Sequence, residues 1–139
     1  CIVGHSERRR YYHETSGDVA AKVRELVEAG ITPLVCMEQD QITPQFAALD
    51  SVYLDKCCYC FGPAGEIGGT VAAEDVEILA AKKQIEHFVP GARFIYGGSV
   101  NRDNTAGLLK LDLDGFLVAT ASLDPVHYQD ILGIVSHAS

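Results

Sequence analysis

Apolar residues along this chain fall into two alternating patterns. One is the short uninterrupted run: the end of a run at residues 1–4, then residues 31–37, 56–61, 93–96 and 115–119. The other is the helical spacing of three and four. Residues 18–29 carry it through Val19, Val23, Leu26 and Val27, with Gly30 as a stop. Residues 72–88, 101–110 and 125–135 read as further helices. Glu74 and Asp75 stand in the first turn of the 72–88 helix, where the helix dipole favours acids. A polar connection over 38–50 includes a short helix from Pro44 to Leu49, and 62–70 is a loop rich in glycine.

Short apolar runs alternating with amphipathic helices predict an α/β fold on a parallel sheet buried on both faces. About five βα units fit into one domain, residues 1–139, with no linker, repeat or low-complexity stretch.

Composition narrows the function. Hydrophobic residues make up 47% and charged residues 22%, so a packed core is expected rather than disorder. The net charge of −8 disfavours nucleic acid as a partner. Arg8, Arg9 and Arg10 form the one basic cluster and read as a salt-bridged, solvated segment. No apolar run has the length of a membrane span, and no secretory pattern is visible. Five cysteines, three of them at 57, 58 and 60, read as reduced thiols in a cytoplasmic protein. No second cluster of ligands at metal spacing is present, so no metal or cofactor is expected. His13, His87, His127 and His137 read as surface residues.

Three segments carry chemistry. The first is Gly4-His5-Ser6-Glu7-Arg8-Arg9, where a histidine sits at the end of a strand and the mouth of a helical turn. Backbone N–H groups there favour an uncharged imidazole, which can donate to a substrate carbonyl. The second is Tyr96-Gly97-Gly98-Ser99-Val100, a strand end whose glycines let backbone approach an anion. The third runs from Asp114 to Leu123 and ends a strand in the small residues Ala119, Thr120 and Ala121. Two consecutive turns of this kind form the usual phosphate site of a (β/α)8 barrel.

In this order the three segments closely resemble the triosephosphate isomerase family. Glu14, Lys22 and Cys36-Met37-Glu38 add to the match. The resemblance implies a partial (β/α)8 barrel, from the fourth strand to the last helix, lacking the first three βα units. It implies isomerisation of dihydroxyacetone phosphate and glyceraldehyde 3-phosphate, in glycolysis and gluconeogenesis, by a dimer. The family is the standing example of a glutamate base working with a neutral histidine, and that pairing is taken over from it. His5 takes the electrophile's place and Glu7 that of the acid beside it. Ile67 and Gly68 match the closing loop. Gly97, Gly98 and Ser99 match a phosphate contact, as do Ala119 and Thr120, which replace a Gly-Gly pair.

The resemblance breaks at the base. Pro63, Ile67 and Gly68 fix the alignment and put Gly62 where the family has its catalytic glutamate. Glu66 is the carboxylate considered as a substitute, against a solvated charge on a loop. The family's lysine on strand one and its dimer-building loop have no counterpart. The expected ligand is a small phosphorylated triose, and the expected association is with another copy or with a missing N-terminal portion. The alternative is a non-catalytic phosphosugar or anion binder, or an association module.

Overall fold

The computed structural model describes residues 1–63 and 73–137. Five strands form one parallel sheet: β1 (Ile2–Val3), β2 (Leu34–Met37), β3 (Cys58–Phe61), β4 (Arg93–Tyr96) and β5 (Gly115–Phe116). Each pairs with its neighbour in sequence, in the order β1-β2-β3-β4-β5, and the sheet is not closed. The helices are α1 (Ser6–Tyr11), α2 (Ser16–Glu28), α3 (Ile42–Ala48), α4 (Asp75–Phe88), α5 (Thr105–Leu108) and α6 (Pro125–His137). This is the partial α/β barrel expected from the sequence.

Local chemistry sets the element ends. Thr15 and Asp18 form a reciprocal cap at the start of α2: Thr15 Oγ1 accepts from Asp18 N at 3.2 Å and Asp18 Oδ2 from Thr15 N at 2.9 Å. At the other end, Ile31 N–H donates to Leu26 O at 2.8 Å and Gly30 N–H to Val27 O at 3.0 Å. That pattern needs a left-handed residue, and Gly30 supplies it with φ of 74°.

The register divides the sheet's two faces. Val35, Tyr59 and Phe94 lie side by side, as do Met37, Phe61 and Tyr96. All six are buried in the main core, with Val19 and Val23 of α2 and Ile78, Ala81 and Ile85 of α4. Phe46 of α3 stacks on Phe88 at 4.5 Å and tilts against Tyr59 at 5.1 Å. The alternate positions, Leu34, Cys36, Cys58, Cys60 and Ile95, face the other way. Leu34, Cys58 and Ile95 are only half-buried. Burial on both faces was expected; among the described residues this second face is covered only in part, with Cys36 and Cys60 buried.

Two elements are shorter than their patterns. The 101–110 pattern gives only α5 and a 3₁₀ turn at Leu109–Leu111. Asn101 and Asn104 hydrogen-bond the local backbone and hold residues 101–104 out of the helix. β5 stops at Phe116, and Thr120–Leu123 form a 3₁₀ turn.

Candidate functional site

His5 caps α1 from the end of β1. Its carbonyl accepts from Arg8 N at 2.9 Å and Arg9 N at 3.1 Å, and its Nδ1 accepts from Glu7 N at 3.4 Å. A ring nitrogen that accepts carries no proton, so this hydrogen bond assigns the proton to Nε2 as a donor.

His5 is held in place by a residue the sequence reading missed. Arg9 donates from Nε to Gly4 O at 2.7 Å, and from Nη2 to Cys36 O at 3.2 Å and Gln45 Oε1 at 2.7 Å. The guanidinium thereby ties the β1–α1 turn to the end of β2 and to α3. Burial lowers its pKa from the ordinary arginine value. The arginine cluster is therefore not one solvated segment, because Arg9 works inside. The signal was spacing: Arg9 lies one helical turn after Ser6, which is buried. Arg8 pairs with Glu14 at 3.0 Å, and Lys22 pairs with the same oxygen. Burial alone raises the Glu14 carboxyl, but hydrogen bonds from Lys22 and Arg8 outweigh it and hold it below the ordinary value.

His5, Gly97, Gly98, Ser99, Ala119 and Thr120 line one cavity of about 330 Å³ at the strand ends. Six of the expected site residues thus share one space. Glu7 is exposed and is not among the residues lining it. Glu66, Ile67 and Gly68 lie outside the described residues. Gly62 borders a smaller cavity of about 10 Å³ with His5, Cys36, Glu38 and Cys60. It therefore stands on the same side of the sheet as the histidine.

The glycines of the strand-end turns are fixed by crowding. A Cβ on Gly97 would lie 2.5 Å from Cys60 Sγ, and one on Gly98 would lie 2.0 Å from the Tyr96 hydroxyl. A Cβ on Gly62 would approach Gly97 O at 3.0 Å. The backbone of β3 and the turn after β4 meet at that point.

The cavity's charge differs from a strong anion site. No lysine or arginine is among its described lining residues, and Asp103 and Asp124 are. Many amides around it are engaged by the chain itself. Asn101 N donates to Asn104 Oδ1 at 2.8 Å, Arg102 N to His127 Nε2 at 3.1 Å, and Val126 N to Asp124 Oδ1 at 2.9 Å. His127 was read as a surface residue; it is half-buried in the cavity wall, where it joins α6 to the turn before α5. A larger, shallow depression of about 1190 Å³ runs between α5 and α6. It mixes Arg102 and Lys110 with Asp103 and Asp130 and does not include His5.

Among the described residues, no group of three or more His, Cys, Asp or Glu side chains is placed to hold a metal ion. No helix among them is long and apolar enough to cross a membrane.

Comparison with known proteins agrees with the geometry. The sequence model described as triosephosphate isomerase matches residues 1–135. The chain is 36% identical over 161 residues to a triosephosphate isomerase of Lactobacillus gasseri, covering 94% of this chain and 64% of that protein. It is 38% identical over 147 residues to one from Dichelobacter nodosus, covering 89% and 61%. It is 34% identical over 158 residues to one from Thermus thermophilus, covering 96% and 63%. The chain thus spans less than two thirds of the length of these curated relatives. By its sequence match, and in keeping with its parallel βα units, the chain belongs to the triosephosphate isomerase family.

Proposed function

We propose that this chain carries the histidine and phosphate-facing part of a triosephosphate isomerase site, and that it binds a phosphorylated triose without isomerising it. The family's reaction needs a carboxylate to take a proton from the carbon beside a carbonyl. It also needs donors to stabilise the enediolate. His5, with Nε2–H as donor, supports the second role. Gly97, Gly98, Ser99, Ala119 and Thr120 support contact with a phosphate through backbone, at the place where this fold binds one.

The observation that carries the reading is Gly62. It offers no proton acceptor, and Gly97 O stands 3.0 Å from where its Cβ would begin. Loss of a general base typically costs ~10²–10⁴-fold in rate. Glu66 is a poor replacement, because a base displaced by even ~1 Å loses about 10²-fold. With Asp103 and Asp124 lining the cavity and no lysine or arginine among its described residues, binding is weak.

The test measures isomerase turnover and, separately, calorimetric binding of a phosphorylated hydroxamate that mimics the enediolate. Binding without turnover is expected. Turnover near that of a complete isomerase would overturn the reading of Gly62.

A second reading, association, is favoured by the open sheet. Among the described residues β5 pairs only with β4, and beside it lies an apolar groove of about 420 Å³ that includes Phe116, Val118, Ile131 and Leu132. Ile2 at the opposite edge is 48% exposed. Edges of this kind recruit another strand. A molar mass in solution above that of one chain supports this reading, and the absence of ligand binding would leave it as the function. Five free cysteines fit a reducing, cytoplasmic setting.

A further inference from the structure

Two cysteines from different segments meet beneath the cavity. Cys36 on β2 and Cys60 on β3 are direct partners in the parallel register. Both are buried, Cys36 6% and Cys60 1% exposed. They occupy the face of the sheet away from the main core. The neighbouring Cys36 side chain and burial hold the Cys60 thiol well above its ordinary pKa. Its sulfur lies against Gly97, at the base of the turn that lines the cavity.

Neighbouring strands run ~4.8 Å apart, within the ~4.4–6.8 Å separation of Cα atoms that a disulfide spans. Joining the pair keeps the strand register and asks only that the two Cβ atoms draw together. Cys57 and Cys58 are placed differently. Cys57 donates to Tyr53 O at 3.3 Å, and Cys58 is paired in register with Leu34 and Arg93 rather than with a cysteine.

We propose that Cys36 and Cys60 form a reversible disulfide across β2 and β3 when the protein meets hydrogen peroxide. Both cysteines border the small cavity beside His5, and Cys36 is the attacking thiol because it is the more exposed of the two. The Cys36 thiolate attacks one peroxide oxygen: an S–O bond forms, the O–O bond breaks, and hydroxide leaves and takes up a proton. The Cys60 sulfur then attacks the Cys36 sulfenic acid. An S–S bond forms, the S–O bond breaks, and the departing hydroxide takes the proton from Cys60. Two thiols and one peroxide give one disulfide and two waters. Facing positions on parallel strands have Cβ atoms set wider than a relaxed disulfide prefers, so the bond is readily reduced by a small thiol. The inference does not depend on the reading of His5 or Gly62.

The experiment treats the folded chain with hydrogen peroxide, denatures it in excess alkylating agent, and maps the digested peptides by mass. A cross-linked pair holding Cys36 and Cys60, lost on treatment with dithiothreitol, is expected. Cys57 and Cys58 should be alkylated as before. The proposal is overturned if Cys36 and Cys60 both remain alkylatable, if either cross-links to another cysteine, or if Cys36 passes to sulfinic acid beside an alkylated Cys60. Cys60→Ala provides a second arm: a cyclic dione should then trap Cys36 as sulfenic acid. Absence of trapping in the folded variant overturns the assignment of Cys36 as attacker. The oxidised wild-type chain should also unfold at a higher temperature than the reduced one, since the bond shortens the unfolded chain's free loop.

Discussion

Ala73 and Tyr96, 23 residues apart, are joined by a buried hydrogen bond: the Ala73 amide donates to the Tyr96 phenol oxygen at 2.8 Å. The same hydroxyl fills the space where a side chain on Gly98 would begin. One atom thus anchors the start of the segment leading into α4 and enforces a glycine in the cavity wall. Tyr96→Phe leaves the Ala73 amide without this partner and should cost about 1–3 kcal/mol. Urea denaturation of both proteins checks the value. Gly98→Ala must displace the hydroxyl and should cost at least as much.

Gly62→Glu restores the family's residue type at the end of β3, but Gly97 of the turn after β4 lies close beside it. The new Cβ meets Gly97 O, and backbone must shift to admit it. The variant should lose about 1–3 kcal/mol of stability, as overpacked sites do. It should show no isomerase turnover above the parent chain in a coupled assay. Full turnover would mean that the missing carboxylate was the single defect.

Arg9→Ala should be among the more damaging changes in the chain. It strips donors from Gly4 O, Cys36 O and Gln45 Oε1, and Gln45 is fully buried. A loss of about 2–4 kcal/mol is expected, from hydrogen bonds to a charged group and the acceptors left behind. Arg9→Lys should recover little, because one ammonium does not reproduce the planar fork. Thermal melts of the two variants side by side test this.

Glu14 makes stability fall in acid. Its folded pKa lies below the ordinary value of 4.5, so its contribution is present above that pH. It disappears as pH drops through the lower folded value, when the carboxyl protonates beside Arg8 and Lys22. Glu14→Gln should flatten the acid limb of a plot of stability against pH and leave its alkaline limb unchanged.

Cys57 gives the opposite limb. Burial pushes its thiol up to about 11 from 9.0. The folded state holds the proton more tightly, so this stability is intact below pH 9 and is lost as pH rises toward 11. The slope over that window should be at most about 1.4 kcal/mol per pH unit for one proton. Cys57→Ala should reduce it, measured by urea unfolding at several alkaline pH values.

Much of the fold is legible in the sequence because its signals are local. β4 follows its apolar run residue for residue, and α2 is framed by Thr15 and Gly30. The shortening of α5 has a local cause too, but Asn101 and Asn104 read as ordinary helix-start residues until their hydrogen bonds are seen. The gathering of His5 with Gly97, Ser99 and Thr120 was legible only through the family pattern, since nothing in the spacing brings them together. Arg9 and His127 were misread because burial of a charged or polar side chain depends on partners from distant segments. The meeting of Cys36 with Cys60 is a matter of register, and a one-residue slip would have turned one of them to the other face.

The strand order carries a consequence for assembly. Every strand lies beside its predecessor in sequence, so each crossover connection joins two neighbouring strands. A chain threaded this way is divisible at its connections. Two pieces cut between α3 and β3 would each keep whole βα units and a matching strand edge. Fragment complementation, in which separately made pieces recover the parent's spectrum on mixing, is therefore built into the topology.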